Sequence, residues 1–462
     1  MVTDSKLAAK GIWLFIDQML IAIGGWAFWI VIFRLSTPSE IGVATTIYSL
    51  VFLFSTIVQL GLEYPLLKKA SSITGSQTFG TILVLEALIL SVSVPLLTYF
   101  INNLFHLSIE EFVWIAAGML IAYTMGFISR FTLLGLSDVK TVLVIDIIGT
   151  VIKFVFAYFL LTAGFAELGI LAALLMQGLV VMGISLVMTI RILGLKVGSF
   201  REATVILKDG LANSMSKFSR MLVVNIGVVL LASFAVDKSE IGIFYVCSMI
   251  SIVVSALASS IAYMAIPEST KLKMDLSQAS LRLSLSLISP LIVALIVAPK
   301  FILSIFGDQY ATAENLLLVL SMGILPSAIT INTISMFNNL NMNKRITLLG
   351  SIQIVTLIIS FIFLVPYFGT LGATVSMLIS FVLAGILSTI WLGMGSADYI
   401  SRSAVAIVAG VLSAYTVTIT ISTLHPLLVI TIGVIVNILC MLILKNTSIT
   451  EFKQVIKTLA SK

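Results

Sequence analysis

Residues 210–225 read GLANSMSKFSRMLVVN, an apolar, helix-forming stretch interrupted by Lys217 and Arg220. Asn213 and Ser216 precede them at helical spacing, so all four side chains fall on one stripe. A cation at the centre of a bilayer costs about 2.5–3.5 kcal/mol on insertion scales, and two on one face require water, a counter-ion or an anionic ligand. The chemistry open to such a stripe is anion capture, with charge-assisted donors closing on a phosphate. Asp17, Glu86, Arg130, Asp146 and Lys153 also fall inside apolar stretches. Left in lipid, these charges would together outweigh the net stability of a typical domain, about 5–15 kcal/mol, so they are expected to face a bundle interior.

Spacing groups them further. Asp146 and Lys153 share one stripe with Gly149, and Tyr123, Gly126 and Arg130 share another. Arg130 also stands near enough to its helix end to snorkel to headgroups, and Glu86 is placed to hydrogen-bond a neighbouring helix. Trp13, Trp26 and Trp29 suit interfacial or core positions. The asparagines at 338, 339, 341 and 343 suit a capped turn, and Gly24-Gly25 and Pro326 mark points of hinging, close packing or kinking.

The elements that must carry these residues are membrane helices. The chain is 60% hydrophobic and 10% charged over 462 residues, with a mean hydropathy of +1.19, whereas soluble domains carry about 25% charged residues. About fourteen apolar runs long enough to span a bilayer follow one another: 11–33, 41–62, 79–100, 112–134, 139–161, 168–190, 210–235, 241–266, 281–298, 315–337, 346–365, 371–391, 404–423 and 426–444. The first is read as a retained helix rather than a cleaved signal, since no small-residue cleavage site ends it. The net charge of +6 is concentrated in alternate loops, and only Arg34, Lys238 and Lys300 fall on the opposite side. By the positive-inside rule both termini are expected in the cytoplasm, in a multi-pass protein of the cytoplasmic membrane.

Cys247 and Cys440 lie in apolar runs and His106 and His425 in short loops, so neither a disulfide framework nor a metal site is expected. No Walker A run, HExxH motif or nucleophile elbow occurs. An enzyme and a nucleic-acid partner are therefore not expected. No cofactor is implied beyond H+ or Na+ as a coupling ion.

The chain also repeats itself. Ser39-Glu40-Ile41-Gly42 recurs as Ser239-Glu240-Ile241-Gly242, each opening the second helix of a set of six, and Leu168-Gly169 and Leu371-Gly372 each open a sixth. The expected architecture is all-α: an N-terminal lobe at 1–195, a C-terminal lobe at 196–398, and two further helices with a basic tail at 399–462. A substrate site is expected where the repeats meet. Asp17 and Lys217 hold equivalent places in the two lobes with opposite charge, which suggests a salt bridge acting as a latch.

Three stretches carry a family resemblance: PSEIGVATTIYSLVFLFSTIVQLGLEYPLLKKAS, DKSEIGIFYVCSMISIVVSALASSIAYMAIPESTKL and RFTLLGLSDVKTVLVIDIIGTVIKFVFAYFLL. They resemble the polysaccharide-transporter flippases, including O-antigen flippases, of the superfamily that also holds multidrug and toxin extrusion (MATE) transporters and lipid II flippases. Gly61-Leu62-Glu63-Tyr64 departs from the pattern, since similar flippases more often place a basic residue there. The resemblance implies a MATE-like, two-lobed fold of about fourteen helices and export of a lipid-linked oligosaccharide by alternating access. In that reading Lys217, Arg220, Asn213, Arg130 and Lys153 receive a polyprenyl pyrophosphate, while Asp17, Glu86 and Asp146 serve coupling or gating. The implied partners are the lipid-linked oligosaccharide, membrane lipids and glycan-assembly enzymes, with the protein acting as a monomer. Two alternatives are a cation-coupled multidrug exporter, which favours twelve helices and a carboxylate-rich cavity, and a membrane-embedded glycosyltransferase or polymerase, which needs larger external loops.

Overall fold

The computed structural model describes residues 20, 24–25, 27–72, 74–105, 110–136, 138–272, 277–340, 342–421 and 424–446. Helices account for nearly all of them, and no strand occurs among the described residues. Helix α1 is described over residues 27–35. There follow α2 (Pro38–Gln59), α3 (Glu63–Lys69), α4 (Gly75–Phe105), α5 (Glu110–Gly135), α6 (Val139–Thr162), α7 (Ala166–Leu193), α8 (Phe200–Ser233) and α9 (Lys238–Leu272). The remainder is α10 (Ser277–Val297), α11 (Pro299–Ser304), a 3-10 turn (Asp308–Ala313), α12 (Glu314–Met322), α13 (Ile324–Asn339), α14 (Asn343–Leu392), α15 (Met394–Thr420) and α16 (Pro426–Ile443).

Among the described residues, 11 helices are long and apolar enough to cross a membrane, so the chain is a multi-pass membrane protein. One of them, Lys344–Leu392, is 49 residues long and covers two expected spans. The chain turns within it at Gly369, whose φ of 52° and ψ of −131° leave the helical region. Residues 1–19, which hold the opening of the expected first span at 11–33, lie outside the described residues. The tenth expected span is two helices, α12 and α13, joined at Gly323.

Local signals explain the boundaries. The Thr37 hydroxyl accepts the Glu40 N–H while the Glu40 carboxylate accepts the Thr37 N–H, and Pro38 occupies the first turn, so α2 starts just ahead of the first SEIG motif. It stops at Leu60, which adopts a left-handed conformation with φ 42°. Ser199 and Glu202 make the same reciprocal cap and start α8 within the polar connection, ahead of the apolar run that begins at 210. Many hydroxyls buried inside the helices are satisfied locally, as where Thr45 donates to the Ile41 carbonyl at 2.7 Å.

The chain forms two compact units, Met1–Tyr245 and Val246–Lys462. In the first, α7 packs along both α5 and α6, and α8 packs on α2 and α4. The two SEIG motifs meet here: a Cβ at Gly42 would overlap the Lys238 carbonyl, and one at Gly242 would overlap the Pro38 carbonyl. In the second unit α15 and α16 pack on each other and on α10. Gly410 and Gly433 let those two helices touch, and Ser289 of α10 donates to buried Asn437 of α16 at 3.0 Å.

Candidate functional site

The polar interior of the first unit is built on α5, α6 and α7. Tyr123 of α5 lies against Gly178 of α7 and donates from its hydroxyl to the Leu174 carbonyl at 3.2 Å. Gly149 of α6 lies against Val181 and Gln177 of α7. The small residues let both helices approach α7 closely. A second α5–α7 bond, from the Thr189 hydroxyl to the Ser129 carbonyl at 3.2 Å, fixes the other end.

With α5 and α6 held this way, Arg130 and Asp146 meet. Nε of Arg130 donates to Oδ2 of Asp146 at 2.8 Å, and its terminal nitrogen reaches the same oxygen at 2.7 Å. The two side chains are 13% and 9% exposed, so Arg130 is engaged inside the protein rather than extended to headgroups. Two residues expected in different roles, one binding substrate and one coupling, thus form a charge-compensated pair.

Lys153 is in the opposite condition. It stands two turns along α6 from Asp146 and is 6% exposed. Its ammonium lies 4.5 Å from the centroid of the Phe28 ring, and no carboxylate pairs with it among the described residues. Phe28 is held edge-on by Phe154 at 5.8 Å and by Trp29 at 5.5 Å. A cation over a ring gains about 0.5–2 kcal/mol, which is less than a paired carboxylate supplies in such surroundings.

Trp29 begins an aromatic cluster that extends to Tyr245 at 4.9 Å and Tyr48 at 6.3 Å, with Tyr123 6.4 Å beyond Tyr48. The Tyr245 hydroxyl is buried and makes no hydrogen bond among the described residues. Sequence reasoning assigned Trp29 only a packing or interfacial role and passed over Tyr48 and Tyr245. The four rings come from α1, α2, α5 and α9, so no spacing along the chain signals their meeting.

Glu86 of α4 is fully buried. Asp17 lies outside the described residues. The backbone of α8 carries Asn213, Ser216, Lys217 and Arg220 at helical positions, and their side chains lie outside the described residues, as does the expected Asp17–Lys217 latch.

The fold has solved counterparts. A lipid II flippase, MurJ, in an inward closed conformation superposes with a TM-score of 0.74 at 16% identity, over 93% of this chain and 98% of that one. An inward-facing multidrug resistance MATE family transporter of the MOP superfamily gives 0.62 at 18% identity, over 85% of this chain and 98% of that one. A MOP superfamily transporter from Pyrococcus furiosus gives 0.58 at 16% identity, over 85% and 95%. At these identities the likeness is one of fold. No curated protein sequence matches the chain. The family profile described as polysaccharide biosynthesis protein matches residues 31–315, more than half of the sequence, and the chain belongs to that family.

Proposed function

We propose that the protein is a flippase rather than an enzyme, translocating an oligosaccharide linked to polyprenyl pyrophosphate across the cytoplasmic membrane by alternating access, with both termini in the cytoplasm. The observation that carries this reading is Lys153, a buried ammonium with aromatic rather than acidic company among the described residues. A buried cation without a counter-ion is costly in a membrane protein, and an anionic cargo relieves that cost when it binds. The pyrophosphate supplies the anion. Trp29, stacked on Phe33, and the neighbouring Tyr48 and Tyr245 rings form an apolar wall beside Lys153 and Phe28. Arg130 is less available to the cargo, because Asp146 already neutralises it. Release of that pair is the natural point for a proton or Na+ to act, with Asp17 and Glu86 as further coupling residues. Lys217, Arg220 and Asn213 complete the proposed cargo-binding set. Support also comes from the polysaccharide biosynthesis family and from the fold shared with a lipid II flippase. An exporter of cationic drugs would gain nothing from a buried Lys153 with no carboxylate partner among the described residues.

The test is accumulation of lipid-linked glycan on the cytoplasmic side in a strain lacking its flippase, complemented with this chain or its variants. Lys153→Met should lower export about tenfold or more, the value of one charge-assisted hydrogen bond. Lys217→Ala and Arg220→Ala should each show the same direction. Wild-type export by all three variants would remove the cations from the mechanism.

A further inference from the structure

A cavity of about 260 Å³, apolar over most of its wall with polar groups at Lys69, Thr78 and Arg201, opens between the start of α4, the end of α3 and the first turns of α8. Charge distribution assigns this end of the unit to the cytosol. The linker before α8 crosses α4 at Gly80, where a Cβ would overlap the Lys196 backbone, and the Gly198 N–H donates to the Thr81 hydroxyl at 2.8 Å. The back wall is rigid: Ile206 packs in a buried cluster with Leu62, Leu66, Phe79 and Ile82.

The lining has a surplus of donors. Lys69 and Arg201 both face the cavity, and neither pairs with a carboxylate among the described residues. Thr78 also lines it, is 4% exposed, and its hydroxyl makes no hydrogen bond among the described residues. Gln77 adds an amide without a described partner. The one carboxylate in the lining, Glu202, is committed to the Ser199 N–H at 2.9 Å in the cap of α8. Two cations, a hydroxyl and an amide around a small closed-backed cleft make an anion receptor. The volume falls below the roughly 300–1,000 Å³ of drug-sized ligand pockets, which suits a phosphate group with a small substituent and excludes a glycan.

We propose that this cleft binds the phosphate of a mono- or diester at the cytosolic face, bridging Lys69 of α3 and Arg201 of α8 across the N-terminus of α4. An anionic phospholipid headgroup and a soluble phosphate ester offer the same chemistry. The site is separate from the Lys153 region and does not depend on the transport reading.

The test is thermal unfolding of the full chain in two arms. One uses detergent with inorganic phosphate against chloride at equal ionic strength. The other uses nanodiscs of phosphatidylcholine with and without phosphatidylglycerol. Wild-type protein should be stabilised in at least one arm, and Lys69→Gln, Arg201→Gln and Thr78→Val should each need about tenfold more ligand for the same shift. A response confined to nanodiscs identifies a headgroup, and a response to inorganic phosphate identifies a soluble ester. No shift in either arm, or a shift that all three variants retain in full, overturns the proposal. Lys69 and Arg201 lie toward the surface, so their variants should fold.

Discussion

The two compact units hold their helices together with different chemistry. The interior of the first carries charge: Glu86, the Arg130–Asp146 pair and Lys153 are all buried or nearly so. The second relies on neutral groups. Ser280 donates to Asn332 at 2.9 Å, Ser335 to the Ala262 carbonyl at 2.6 Å, Ser289 to Asn437 at 3.0 Å, and Asn446 to Ser403 at 2.7 Å. The described cations of the second unit sit toward helix ends. Arg345 lies over the rings of Phe337 and Trp391 at 5.5 and 6.0 Å, and Arg402 pairs with exposed Asp398. Neutral pairs in a membrane bundle contribute on average about 0.6 kcal/mol each and create little field. Buried charges cost several times that, so packing alone does not account for them. On the proposed reading, that difference would make the first unit the one that meets a charged cargo.

The largest expected effect is on folding. Asp146→Ala removes the carboxylate that both Nε and a terminal nitrogen of Arg130 reach inside the first unit and should cost about 3–5 kcal/mol, read as lower folded yield and lower unfolding temperature in detergent. Combining it with Arg130→Met should restore much of the loss, since an apolar pair needs no counter-ion. If the double variant is no more stable than the single, the pair is not a closed unit.

Next comes Lys153→Met, which separates function from stability. Export should fall about tenfold or more while the unfolding temperature holds or rises, because a buried charge with no carboxylate partner among the described residues has been removed. A drop in both would make Lys153 a structural residue and weaken the contrast between the units.

The smallest effect belongs to the second unit. Asn332→Ala should cost roughly 1 kcal/mol, and a double-mutant cycle with Ser280→Ala should return a coupling near 0.6 kcal/mol, with glycan export within about twofold of wild type. Loss of export from a stably folded Asn332→Ala protein would show that the neutral unit also touches cargo.

Much of this architecture can be read directly from the amino-acid order. The expected span at 139–161 is α6, Val139–Thr162, and the span at 426–444 is α16, Pro426–Ile443, because long apolar runs between polar breaks admit few other readings in a bilayer. Where hydropathy alone was the guide, the polar start of α8 read as loop, although Ser199 and Glu202 already spelled its cap. The expected break between the spans at 346–365 and 371–391 is the turn at Gly369, with Pro366 just before it. For the site, sequence identified the buried charges but not their company. Arg130 meets Asp146 because α5 and α6 both lean on α7, and the aromatic cluster beside Lys153 draws on four helices. These are tertiary facts that no periodicity encodes.

The meeting of Gly42 with Gly242 ties the two copies of the motif to one another. Backbone of one copy passes where the side chain of the other would have to stand, so even a methyl group on either must displace a carbonyl of its counterpart. An alanine at either glycine therefore forces the openings of α2 and α9 apart, and the smallest possible side chain at each is a condition for the contact at both.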